Sequence, residues 1–119
     1  LVEDNPDNRL LIKAYLKREP YDIDEAENGA EALTLFREHA YDLVLMDVQM
    51  PVMDGHTATR EIRAWEAAQG RTAVPIVALT AHAIKEDTEK SLAAGCTAHL
   101  TKPIKKQTLL NAISELLVA

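Results

Sequence analysis

Cysteine, positive charge and long hydrophobic runs are all scarce in this sequence. Cys96 is the single cysteine among 119 residues, which excludes an intramolecular disulfide and a cysteine-based zinc cluster and is typical of a reducing compartment. No apolar run approaches the roughly 20 residues that span a bilayer, and no signal-peptide pattern opens the chain. We therefore expect a cytoplasmic protein that makes no membrane contact.

The charge balance is acidic. Lysine and arginine number 13 against 19 aspartates and glutamates, which gives a formal charge of −6. This excess argues against direct binding to nucleic acid and suits a metal ion or a basic or mixed protein surface. Because 47% of the residues are apolar and 27% are charged, the sequence predicts a single globular domain over residues 1–119.

Short apolar runs that stop at a polar residue are the most informative feature. The run Leu43–Met46 ends at Asp47, which is typical of a strand buried on both faces of a parallel sheet. Ligands of such sheets bind beyond the carboxyl ends of the strands. The sequence therefore predicts a site for a divalent cation and a phosphoryl group at one rim. The polar residues that we expect there are Glu3, Asp4, Asp47, Thr80 and Lys102.

Five strand-like segments alternate with five helical ones. The predicted strands are Leu1-Val2, Ile23–Ala26, Leu43–Met46, Val74–Leu79 and Thr97–Leu100. This alternation predicts an α/β fold with a parallel five-stranded sheet between helices. The first helix is expected to begin at Asn5-Pro6, to end near Glu19-Pro20, and to bury a stripe of Leu10, Leu11, Ala14 and Tyr15. Because no initiator methionine is present, we expect a segment trimmed from a longer chain, whose missing residues complete the first strand.

In this order the rim residues resemble the receiver domain of bacterial response regulators. The stretch from Met46 to Gly55, MDVQMPVMDG, is similar to the family's phosphoacceptor loop, and Lys102-Pro103 is similar to its Lys-Pro step, which is often cis. The resemblance implies a flavodoxin-like doubly wound sheet of strand order 2-1-3-4-5. It is strongest to receivers of hybrid sensor histidine kinases. The implied partners are a histidine kinase or a histidine phosphotransfer domain, and phosphorylation-dependent self-association is a further expectation.

The resemblance assigns Asp47 as the phosphoacceptor for a phosphoryl group from a phosphohistidine. It also implies a site for Mg²⁺ or Mn²⁺, made by Asp4, Asp47, Glu3 through a water molecule, and the backbone carbonyl of Gln49, a residue that also modulates the reaction.

Two further residues are expected to contact the phosphoryl oxygens, Lys102 through its charge and Thr80 through its hydroxyl. Such a domain catalyses its own phosphorylation and dephosphorylation and is not expected to turn over an external substrate. The parent chain would then be a histidine kinase.

The four histidines and Cys96 are expected in different environments. His99 stands where the family commonly has a tyrosine or phenylalanine that serves as a rotating switch. Because imidazole supplies less apolar ring area, His99 is expected to make a smaller contribution to such a switch. His82 is expected near the phosphoryl group, where it influences the access of water. His39 and His56 are expected in solvent, and Cys96 is expected to act as a small buried hydrophobe.

Two other functions use similar residues. A haloacid-dehalogenase-like phosphotransferase also combines a strand-end aspartate with Mg²⁺, but it needs a second acid two residues later, where this chain has Gln49, and room for a cap domain. A pseudo-receiver binds partners without phosphorylation, but it lacks one of the key acids or the lysine. Taken singly, Asp47 or Glu3-Asp4 would read as helix caps, Thr80 as a cap of the fourth helix, and Lys102 as a solvated residue.

Overall fold

The computed structural model describes residues 1–48, 53–81 and 85–117, and for residues 85–88 it describes the backbone alone. Within these ranges the chain forms helices α1 (Pro6–Leu16), α2 (Gly29–Glu38), α3 (Gly55–Gln69), α4 (Lys85–Ala94) and α5 (Lys106–Leu117), and strands β1 (Val44–Asp47), β2 (Ile76–Thr80) and β3 (Ala98–Thr101). Among the described residues, no helix has the length and apolar character needed to cross a membrane.

The sheet is parallel, and its regular part has the order β1-β2-β3. Val2 forms single parallel bridges to Ala26 and to Met46. These bridges put Val2 beside β1 and Ala26 on the other side of Val2. Numbered as the five predicted strands, the segments therefore follow the flavodoxin-like lateral order 2-1-3-4-5. The first two predicted strands are thus reduced to single bridges within the described residues. The Ala26 amide donates to the Leu1 carbonyl and the Glu3 amide donates to the Ala26 carbonyl, so the contact between the two segments is centred on Val2 and Ala26.

Strands β1 and β2 are buried on both faces, as their apolar runs predict, whereas β3 is half-buried and ends at the exposed Thr101. Val44, Met46, Ile76 and Ala78 pack into one core cluster, with α2 and α3. The intervening residues Leu45, Val77 and Leu79 pack into the other, with α1 and α5. This alternation follows from the two-residue period of a strand, and it leaves the polar strand ends as the open rim of the sheet.

The predicted buried stripe of α1 is wrong for Leu10, Leu11 and Ala14, which are exposed, while Tyr15 is half-buried and packs against the core. Leu10 and Leu11 are 64% and 43% exposed, whereas Ile12 and Leu16 are buried, and the helix ends at Leu16 rather than near Glu19. Asn8, Ile12 and Leu16 lie four residues apart and therefore share one helix face. Because this inward face begins with the polar residue Asn8, the apolar spacing of the sequence indicates the neighbouring face instead.

The helix ends follow general capping chemistry. Asn5 caps α1, and Asp54 caps α3 by accepting a hydrogen bond of 2.8 Å from the Thr57 amide. The helix α4 is followed by Gly95 at a φ of +109°, a backbone conformation that glycine adopts readily. The Lys102-Pro103 peptide bond is cis, as the resemblance implies.

Candidate functional site

Three carboxylates meet at the carboxyl edge of the sheet. Asp47 is the last residue of β1, and Glu3 follows Val2, which bridges β1. One oxygen from each of Glu3, Asp4 and Asp47 lies within 4.8 Å of the others. Glu3 and Asp47 are only 1% and 3% exposed, while Asp4 is exposed. Because buried carboxylates are costly without compensating charge or hydrogen bonds, this cluster requires cations or donors around it.

Lys102 supplies one such cation. Its Nζ lies 3.3 Å from both carboxylate oxygens of Glu3 and 3.3 Å from Oδ1 of Asp47. Its backbone N–H donates to the Thr80 carbonyl, which anchors the residue beside β2. One ammonium against three carboxylates leaves two negative charges among these groups. A divalent cation with oxygen ligands, such as Mg²⁺, matches both the charge and the donor type.

The charge state of Glu3 follows from its surroundings. Burial raises the pKa of this carboxyl, but hydrogen bonding with Asp47 and Asn8 and the charge of Lys102 lower it further, so that the pKa lies below its ordinary value. Glu3 is therefore ionised at neutral pH.

Thr80 and His99 occupy different depths of the sheet. Thr80 is buried at the end of β2, one residue beyond Leu79, the register partner of Asp47. Its hydroxyl thus belongs to the same edge as the carboxylates. His99 is half-buried in β3 and pairs in register with Ala78, two residues before the edge.

Gln49 and His82 lie outside the described residues. The prediction for His56 is wrong, because the ring is half-buried on the first turn of α3 and its Nε2 lies 2.9 Å from Oγ of the buried Ser91 on α4. His39 is exposed and Cys96 is buried, as predicted, and burial raises the pKa of the Cys96 thiol.

Sequence reasoning missed two residues in the first turns of α1. Asn8 Nδ2 donates to Glu3 Oε1 at 2.7 Å. Arg9 donates from one guanidinium nitrogen to the carbonyls of Glu3 and Asp4, at 2.7 and 3.3 Å. The sequence signal that could have identified Asn8 is its position four residues before Ile12, on the helix face that the buried residues of α1 define.

Gly55 also has a geometric role at this edge. A Cβ at that position would collide with the carbonyl of Asp47 and lie 2.8 Å from the Cα of Val48. Only glycine allows the first residue of α3 to approach the end of β1 this closely.

Comparison with known sequences gives one consistent family. Residues 1–114 match the response regulator receiver domain family. The sensor protein GacS of Pseudomonas syringae pv. syringae is 45% identical over 112 residues, which are 94% of this chain and 12% of that protein. The chemotaxis protein CheY of Halobacterium salinarum is 38% identical over 119 residues, which cover the whole chain and 95% of that protein. The chain thus spans about an eighth of the length of GacS and nearly all of CheY.

Solved structures agree with this result. The receiver domain of a Pseudomonas aeruginosa sensor histidine kinase, with a magnesium ion in its active-site cleft, has a TM-score of 0.88 and 40% identity, and the match covers 99% of this chain and 94% of that one. The receiver domain of Saccharomyces cerevisiae Ssk1, crystallised with the histidine phosphotransfer protein Ypd1, has a TM-score of 0.93 and 35% identity over 97% of this chain and 84% of that one.

Proposed function

Because this chain belongs to the response regulator receiver domain family, we propose that it is a phosphoacceptor switch of two-component signalling and that Asp47 receives the phosphoryl group. The observation that carries this proposal is the position of Lys102, whose ammonium lies 3.3 Å from Asp47 and from Glu3 inside a cluster of three acids. A nucleophilic carboxylate beside an ammonium group is what transfer of an anionic group requires.

The donor set supports a magnesium site. Asp4 and Asp47 offer carboxylates directly, Glu3 is suited to act through a water molecule, and the Gln49 carbonyl, outside the described residues, would complete the protein's share. When bound, Mg²⁺ offsets the negative charge of the carboxylates and of the incoming phosphoryl oxygens. Mn²⁺ accepts the same oxygen ligands.

The phosphoryl transfer uses three side chains of the site. An oxygen of Asp47 attacks the phosphorus of a phosphohistidine, the new P–O bond forms as the P–N bond breaks, and the donor imidazole leaves with the bonding electron pair. Lys102 then contacts a phosphoryl oxygen in place of a carboxylate oxygen, and the Thr80 hydroxyl donates to another. Most of the acceleration comes from positioning and charge compensation.

The proposed donor is a histidine kinase core or a histidine phosphotransfer domain. GacS and several other relatives are named as sensor or hybrid kinases, and Ssk1 is crystallised with a histidine phosphotransfer protein. We place the reaction in the cytoplasm, which the unpaired Cys96 suits. The domain would turn over its own aspartyl phosphate and no external substrate.

A label-uptake experiment tests this function. The protein is incubated with radiolabelled acetyl phosphate, with Mg²⁺ or with a chelator. We expect stoichiometric label with Mg²⁺, none with the chelator, and none in Asp47→Asn. Asp42→Asn, a matched change at the exposed amino end of the same strand segment, should label normally.

The same experiment separates the alternatives. Continuous release of phosphate from added phosphomonoesters, without label that depends on one residue, would indicate a haloacid-dehalogenase-like enzyme. A protein that takes up no label with Mg²⁺ would be a pseudo-receiver. Either result contradicts the proposal.

A further inference from the structure

We infer that Asn8 is a positioning residue for the phosphoryl-transfer site, because its amide holds the carboxylate of Glu3 in place. The inference rests on the proposed function and extends it to a residue of α1. It follows from the contact between Asn8 Nδ2 and Glu3 Oε1, at 2.7 Å, which is shorter than either contact between Glu3 and Lys102, at 3.3 Å.

The side chain of Asn8 is not needed by its own helix. The cap of α1 is Asn5, whose Oδ1 accepts from the backbone amides of Asp7 and Asn8 at 2.8 and 3.4 Å. An asparagine near a helix start would usually serve such a local role. Here the amide instead reaches back to a residue that precedes the helix, so the local explanation does not account for it.

The helix face explains why Asn8 points to the site. Asn8 is half-buried and lies on the same stripe as Ile12 and Leu16, which are buried in the core. That packing fixes the rotation of α1 about its axis and therefore aims Asn8 inward. The position of the amide is thus set by the core and not by the site itself.

The chemistry of the amide suits the site better than a charged donor would. An amide N–H stabilises the buried carboxylate while leaving the two negative charges of the cluster unchanged. A lysine or arginine at position 8 would cancel one of them and weaken the attraction for a divalent cation. The neighbouring Arg9 holds only backbone carbonyls of Glu3 and Asp4, and its charge is paired with Glu25 at 3.5 Å and Glu27 at 3.7 Å.

Without the Asn8 donor, the competition for Glu3 changes. Lys102 already reaches both oxygens of Glu3, so loss of the amide leaves the ammonium to hold the carboxylate, and the orientation of the carboxylate toward the cation site is no longer fixed. The cation site then loses a fixed oxygen, and Lys102 is held more firmly when it has to move to the phosphoryl group. Both effects slow phosphorylation and weaken binding of Mg²⁺.

The test replaces Asn8 with a side chain of similar size that has no donor. For Asn8→Leu we expect a Mg²⁺ dissociation constant, measured by calorimetry on unphosphorylated protein, raised about tenfold, which is the typical effect of one lost hydrogen bond to a charged group. The rate of label uptake at saturating Mg²⁺ should also fall. Asn8→Gln, which keeps an amide, should recover part of the affinity. Asn111→Leu, on the exposed face of α5 where Asn111 contacts Gln107, is the matched control and should bind Mg²⁺ normally.

A double-mutant cycle shows whether Asn8 acts through Glu3. In a Glu3→Gln background, Asn8→Leu should change the Mg²⁺ dissociation constant by less than about twofold. If Asn8→Leu does not fold, Asn8→Ala is measured in its place. Two results would overturn this inference alone, given a wild-type protein that takes up label normally. The first is an Asn8→Leu variant with the wild-type Mg²⁺ dissociation constant and the wild-type rate of label uptake. The second is an effect of Asn8→Leu that is undiminished in the Glu3→Gln background. A wild-type protein that neither binds Mg²⁺ nor takes up label would overturn the proposed function as well.

Discussion

Glu66 of α3 carries the largest single-residue stability effect that we expect outside the site. Its buried carboxylate accepts hydrogen bonds from Arg63 and from the Val74 amide, each at 2.8 Å. Arg63 also donates to the carbonyls of Val74 and Gly95, at 2.8 and 2.9 Å. The pair thus ties the segment before β2 and the turn after α4 to one helix.

The change Glu66→Ala leaves a guanidinium without its counter-charge and a backbone N–H without its acceptor. Breaking a buried ion pair by removal of one partner costs about 3–5 kcal/mol. Because the Arg63 side chain is 21% exposed, water compensates part of that cost, and we expect a loss near the lower end, about 3 kcal/mol of unfolding free energy.

Urea unfolding followed by circular dichroism measures this loss. Glu61→Ala is the matched control, since Glu61 is exposed on the same helix and the same change there should stay within about 0.5 kcal/mol of the wild type. The network lies before the amino ends of β2 and β3, so label uptake by folded Glu66→Ala should match the wild type. A difference below about 1 kcal/mol between the two variants would refute the reasoning, because exposed ion pairs give such values.

Three further outcomes follow from single contacts. The hydrogen bond from the Thr57 amide lowers the pKa of Asp54. The ionised cap therefore stabilises the fold at pH values above the pKa of the unfolded chain, near 3.9. This contribution is lost as the pH falls through the lower pKa of the folded state. Asp54→Ala should therefore cost about 1 kcal/mol in urea unfolding at pH 7, and less near pH 3. Cys96 is buried and the pKa of its thiol is raised. In urea, the rate at which a thiol reagent modifies Cys96 should therefore not exceed the rate at which the protein unfolds. In amide exchange with and without beryllofluoride, Thr80→Ala should abolish most of the activated-state difference, whereas His99→Ala should reduce it only partly. The reverse pattern would contradict these roles.

The strands could be predicted because their burial leaves a direct trace in the sequence. A strand buried on both faces reads as a continuous apolar run, and β1 and β2 appear in that form. Each extends one residue beyond the predicted run, so that Asp47 and Thr80 are the last residues of the ladder rather than the first of a loop. Asp47 and Thr80 are therefore held by strand hydrogen bonds.

The face of α1 could not be predicted in the same way. Apolar spacing favoured Leu10 and Leu11, but the core takes Ile12 and Leu16, and the face is completed by a polar residue whose partner is Glu3. The contact between His56 and Ser91 is similar, because it joins residues 35 positions apart. Tertiary partners of polar side chains leave no periodic signal.

Phosphorylation at Asp47 is the property on which the proposed function depends most. An aspartyl phosphate is reduced by borohydride to an alcohol, and peptide mass spectrometry locates the residue that carries the change. After treatment with acetyl phosphate and Mg²⁺, we predict reduction at Asp47, with Glu3 and Asp4 unmodified although all three carboxylates lie within 4.8 Å. Reduction at Glu3 or Asp4, or none in a protein that has taken up label, would contradict it.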